Sequence, residues 1–140
     1  MTTDDFAGRL VRLSETDQTV ADPAADVRGR PMVDRSGEDV GRIEDLLIDE
    51  QEKKVRLLRV GSGGFLGIGK DHFLVPVDAI ESIDEERVVV GRDRAGLADA
   101  PAYDPELADD PVYYATLYGW WGYGPYWTAG YVYPPFPYYR

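Results

Sequence analysis

From Asp26 to Gly91 the apolar side chains come in short runs, and each run is stopped by Gly, Pro, Asp or Ser before it can complete a helical pattern. Val27 to Val33 leads into the turn signal Asp34-Arg35-Ser36-Gly37, and Val40 to Ile48 follows, so the two runs predict a hairpin. In the second run Val40, Leu46 and Ile48 share one parity while Ile43 and Leu47 take the other. Plain alternation therefore fails midway, and a bulge near Glu44 to Leu46 would reconcile the two faces. Val55 to Val60 predicts a third strand, apolar on both parities, and His72 to Val75 a fourth, ended by Pro76. Asp78 to Ile80 fits one helical turn, Ile83 a very short strand and Arg87 to Val90 a last one. Strands at this spacing without a long helical pattern among them predict a small all-β domain, a barrel or a sandwich.

The flanks differ in texture. Residues 1–25 form a short N-terminal arm and linker in which Phe6, Leu10 and Leu13 stand at helical spacing, fitting either a helical turn or an arm laid on the domain. Residues 92–110 are a polar linker broken by Pro101 and Pro105. Residues 111–140 hold all three Trp and nine of the ten Tyr among Gly and Pro, with Arg140 the single charged side chain. This density of breakers predicts a low-complexity aromatic tail, disordered alone or ordered by a partner, with three readings open: packing back onto the domain, self-association or contact with a protein partner, which is the functional expectation, and lying at a neutral membrane or glycan surface. Tyr and Trp offer large contact area at low entropic cost. Tyr113, Tyr114, Trp120, Trp121, Tyr126 and Trp127 are therefore the candidate protein-contact residues.

Charge and composition exclude several classes of function. A net charge of −11, with every acidic side chain within residues 1–110, marks an acidic protein that repels phosphate backbones and anionic headgroups, so direct nucleic-acid binding is not expected. Zero cysteines exclude disulfides and thiolate metal sites. The N-terminus lacks a basic and apolar secretory pattern and no run reaches membrane-spanning length, so the expected location is the cytoplasm, with no transmembrane segment.

No catalytic, cofactor-binding or metal residue stands out. Gly64 to Lys70 fits Gly-x-x-x-x-Gly-Lys, but Asp71 replaces the hydroxyl that would hold magnesium and a strand pattern follows where a phosphate loop needs a helix. A glycine-rich connection between strands is the reading. His72 is the sole histidine and has no second imidazole for metal or hydrolytic chemistry. Glu44, Asp45, Asp49, Glu50 and Glu52 lack the spacing of a calcium loop and read as a solvated charged face. The chain is not expected to be an enzyme.

Three segments carry a resemblance: Val27 to Val33; Gly37 to Asp49, with its Val-Gly-Arg-Ile and Asp-Leu-Leu-Ile-Asp order; and Gly63 to Gly69 followed by Phe73-Leu74-Val75-Pro76-Val77-Asp78-Ala79-Ile80. The sequence resembles the PRC-barrel proteins, which include the cytoplasmic domain of the photosynthetic reaction-centre H subunit, the C-terminal domain of a ribosome maturation factor and small stand-alone proteins. The resemblance implies a six-stranded β-barrel over residues 26–91 that binds other proteins. The expected function is a non-catalytic interaction and assembly scaffold whose partner is another protein or a second copy, giving a homo-oligomer. A ribosome-assembly accessory factor and a reaction-centre-associated regulatory subunit are the alternatives it implies.

Overall fold

The computed structural model describes residues 10–13, 26–49, 52, 54–61, 72–107 and 109–134. Seven strands form one sheet: β1 (Leu10–Arg12), β2 (Pro31–Val33), β3 (Asp39–Asp49), β4 (Val55–Gly61), β5 (His72–Pro76), β6 (Ile80–Ile83) and β7 (Val88–Val90). Their order is β5-β4-β3-β2-β7-β6, with β1 also on β3. All pairs are antiparallel except β2 with β7. The two ends of this path, β5 and β6, are separated in sequence by one 3₁₀ turn, Val77–Ala79. No ladder joins them among the described residues, so the sheet is curled and mostly β without hydrogen-bonded closure.

The long strand β3 organises the sheet. Its two halves accept β2 and β1 along one edge, and β4 runs along the other. The pairing with β4 shifts between Ile43 and Asp45, which leaves Glu44 as the extra residue and puts the bulge where the change of parity predicts it. A second shift, between Leu47 and Ile48, makes Arg56 the extra residue on β4. Gly41 sits at φ 149°, and a Cβ there would lie 2.5 Å from the Gly61 carbonyl oxygen, so only glycine lets β3 pass β4 at this point.

Where the sequence predicts a first strand from Val27, the ladder holds only Pro31 to Val33, because Arg28 and Gly29 form a turn. Of the two readings of the arm, its described residues take the one laid on the domain: Leu10 to Arg12 pair as a strand with Leu47 to Asp49. A three-residue apolar spacing does not separate a helical turn from an edge strand, and the open edge of β3 decides it.

Residues 111–134 are ordered against the sheet, the packing-back reading of the aromatic segment rather than an extended tail. Helix α1 (Arg94–Leu97) leads to a 3₁₀ turn at Pro105–Leu107 and then to α2 (Pro111–Trp121). Asp110 caps α2 by accepting from the Val112 amide at 2.9 Å, and Pro111 fills the first turn. Gly122, at φ 91°, closes it while the Gly122 and Tyr123 amides donate to the carbonyls of Gly119 and Tyr118. Tyr114, Leu117, Tyr118 and Trp121 line one helical face, and all four join the buried cluster that holds the strand residues Leu57, Leu58, Phe73 and Leu74. Each such side chain contributes roughly 2–3 kcal/mol on leaving water. Tertiary burial of that face overrides the weak helix propensity of aromatic residues.

Candidate functional site

The aromatic segment and the strand face it covers make the site. On β4, Val55, Arg56, Leu57 and Leu58 are all buried, so adjacent residues of opposite orientation are both covered. One face of a strand meets the interior of the curled sheet, and the other needs a second layer. Residues 111–134 supply it.

Arg56 is the anchor of that layer. The bulge at this residue re-aims its side chain, whose Nε donates to Asp49 Oδ2 and Nη2 to Glu52 Oε1, each at 2.7 Å. The Arg56 side chain is 4% exposed. With its edges held by carboxylates, the guanidinium presents its plane to aromatic rings. Its Cζ lies 4.4 Å from the Tyr126 centroid, 5.2 Å from Tyr133 and 5.9 Å from Tyr131. Burial acts against the charge on Arg56, but its bond to Asp49 and the charge of that carboxylate outweigh it and hold the group firmly protonated.

The polar tips of the segment reach fixed groups of the sheet. Trp121 Nε1 donates to the Leu74 carbonyl at 3.2 Å, Tyr133 Oη to the Val55 carbonyl at 3.0 Å and Tyr131 Oη to Asp78 Oδ2 at 2.8 Å. In the other direction Arg92 Nη2 donates to the Trp121 carbonyl at 2.7 Å, and its guanidinium lies 4.7 Å from the Trp120 ring. The outer edge of β5 is covered in the same way, since the Tyr103 amide donates to the His72 carbonyl and Phe73 bridges to Ala102. Pro76 has the same strand parity as His72 and Leu74, whose carbonyls point to this edge, so its missing N–H costs no bond to β4.

The predicted contact residues are therefore all engaged within the chain. Tyr114 and Trp121 are buried and present no surface to a partner, which corrects their reading as contact residues. Tyr113 is half-buried, its hydroxyl accepting from the Asp104 amide. Trp120 and Trp127 are half-buried and stack edge-on, at 5.1 Å, against Trp121 and Tyr126 respectively. Tyr126 covers Arg56.

The solvated acidic face is corrected as well. Asp45 and Asp49 are buried, Glu44 and Glu52 are exposed, and Glu50 lies outside the described residues. His72 lies on β5, its Nε2 donating to Glu44 Oε1 at 2.8 Å, with Arg59 Nη2 3.5 Å from the same oxygen. The Gly64 to Asp71 segment lies outside the described residues. No group of three or more potential metal ligands occurs among the described residues, and none of their helices is long and apolar enough to cross a membrane.

Sequence reasoning missed Arg56, Asp78 and Arg92 as seats for the aromatic segment. The available signal was the apolar character of β4 on both parities, which announces a strand covered twice.

A curled seven-stranded sheet whose strands β4 and β5 are covered by an aromatic segment of the same chain defines a small β-module with its own cover. The PRC-barrel domain family matches residues 21–96, just over half of the chain, and the protein belongs to that family. The match contains every strand from β2 to β7 and ends within α1, so the aromatic cover lies outside the family domain. No curated protein matches the chain.

Proposed function

We propose that this protein is a non-catalytic interaction and assembly module that meets a protein partner, including a second copy of itself, through the outer surface of its C-terminal segment. One observation carries this reading. Among the described residues the exposed large apolar side chains, Leu107, Val112, Tyr123 and Val132, all lie beyond the family domain, with Val112 at 65% and Val132 at 81% exposure. Among the described residues the domain keeps its large apolar side chains inside, so the apolar contact area they leave for a partner belongs to the segment. These residues replace Tyr114 and Trp121 as contact candidates.

A barrel is the architecture we propose for the curled sheet, because one 3₁₀ turn separates its terminal strands in sequence. The non-catalytic reading rests on the sequence, in which His72 is the sole histidine and has no second imidazole beside it. The acidic composition disfavours nucleic acid, and the absence of cysteine suits a reducing cytoplasm.

The test compares the full chain with Val112→Asp, Val132→Asp and the double variant by light scattering over a concentration series. The parent is expected to exceed its monomer mass of 15.7 kDa as concentration rises, and the double variant to remain monomeric. A parent at monomer mass throughout removes self-association. Should neither parent nor double variant retain any protein in a pull-down as well, the interaction reading falls with it.

A further inference from the structure

The turn between β5 and β6 carries Asp78, and one side chain of the cover bonds it: Tyr131 Oη donates to Asp78 Oδ2 at 2.8 Å. The other oxygen, Oδ1, is sealed from solvent without a hydrogen-bond partner. The tyrosine is neutral, so its bond does not compensate a buried negative charge. Arg56 of β4 is the cation that acts on Asp78, but its edges are held by Asp49 and Glu52. Tyr118 of α2, the further titratable group coupled to Asp78, stays uncharged because burial raises its hydroxyl far above the ordinary phenol range. A carboxylate sealed with so few donors favours its neutral form. Burial accordingly raises the Asp78 carboxyl above the ordinary carboxylate range, outweighing the Tyr131 bond, its own amide and the charge of Arg56.

Protonation removes the cost of the orphaned oxygen and keeps the contact, since the carbonyl oxygen of a neutral acid still accepts from Tyr131. Ionisation restores that cost, and hydration relieves it once Tyr131 moves away. Residues 122–134 can lift without α2. The helix ends at Gly122, and none of the residues after it is fully buried, whereas Tyr114, Leu117, Tyr118 and Trp121 of α2 are. The segment after α2 is thus a strap fixed at one end.

We propose that Asp78 and Tyr131 form an acid-tightened latch: protonated Asp78 holds the strap down on the β5–β6 turn, and ionised Asp78 releases it. The strap carries Val132, 81% exposed, so the latch also governs how firmly that surface is held. It operates whether or not a partner docks there and does not depend on the interaction reading.

A raised folded value stabilises below the unfolded value of about 3.9, and that stabilisation is lost as pH rises through the folded one. The opening constant of the strap should therefore rise about tenfold per pH unit between the two values and level off beyond them. Carboxyl NMR titration of the full chain reads the acid. Asp78 is expected to titrate above about pH 4, and a value at or below the ordinary range overturns the latch. Hydrogen exchange between about pH 4 and pH 7, corrected for the intrinsic rate, reads the strap. The Thr128 and Tyr131 amides, which donate to the Pro125 and Thr128 carbonyls, should lose protection over the interval in which Asp78 titrates, while the amides of α2 keep theirs. Asp78→Asn carries no charge, and its oxygen still accepts from Tyr131. Strap protection in that variant should be independent of pH and, at pH 7, no lower than in the parent. Strap protection in the parent that does not follow the Asp78 titration sinks the proposal, as does a variant whose strap follows pH like the parent.

Discussion

The guanidinium of Arg56 is held edge-on by Asp49 at 2.7 Å, while its face lies 4.4 Å from the ring of Tyr126, seventy residues further along the chain. One buried cation thus joins the β3–β4 hairpin to the C-terminal cover. Replacing Arg56 with Ala leaves Asp49, itself 2% exposed, as an unpaired buried carboxylate. The expected loss is about 3–5 kcal/mol, read from urea unfolding of the variant against the parent. Arg56→Lys restores the charge but not the planar stack and should recover only part of it.

If residues 111–121 are core rather than tail, two substitutions on the same helix must behave differently. Leu117, 1% exposed, should lose about 2–5 kcal/mol when changed to Ala, whereas Val112→Ala should stay within about 0.5 kcal/mol of the parent. Equal small effects in chemical denaturation would mean that α2 does not pack as described.

Asp34 gives a pH dependence with a definite sign. It is 1% exposed, and its carboxylate accepts the amides of Ser36, Glu38 and Arg94 at 2.8, 2.9 and 2.8 Å, tying the β2–β3 turn to the start of α1. Burial pushes its carboxyl up, but these amides outweigh burial and hold it below the ordinary carboxylate range. A lowered folded value stabilises above the unfolded value of about 3.9 and is lost as pH falls through the folded one. Unfolding midpoints should therefore drop below about pH 4, and Asp34→Asn should be less stable at neutral pH and flatten that drop.

Gly41→Ala tests the crossing of β3 and β4. The added methyl would meet the Gly61 carbonyl oxygen at 2.5 Å and the Val60 side chain at 2.8 Å, on a backbone at φ 149° that alanine rarely adopts. Steric and dihedral strain together should cost about 2–4 kcal/mol. Gly37→Ala, on an exposed turn with open space around its Cβ, carries only the dihedral part and should cost less in the same melt.

Much of the sheet was legible before any coordinates. Runs such as Val40 to Ile48 and Val55 to Val60 carry β-branched and aliphatic residues between strong turn signals, and the change of parity inside the first announced the bulge at Glu44. The aromatic site was harder to read. Tyr114, Leu117, Tyr118 and Trp121 keep helical spacing, but Tyr113 and Trp120 put comparable rings on other faces and Gly119 interrupts the run, so the periodicity is blurred. Asp49 and Arg56 looked like surface charges because nothing local distinguishes a buried ion pair from two solvated side chains.

Sequence by itself determined the strand runs, the bulge at Glu44, the acidic charge and the membership of a family of small β-modules, because these depend on local backbone preference and on composition. Tertiary structure decided the fate of the aromatic segment. An uncharged run of Tyr and Trp can stay extended, bind a partner or fold back, and its own propensities barely separate these states. What separates them is a surface elsewhere in the chain: β4 is apolar on both sides, and Arg56 with the Leu74 and Val55 carbonyls gives the rings something to stack on and bond to.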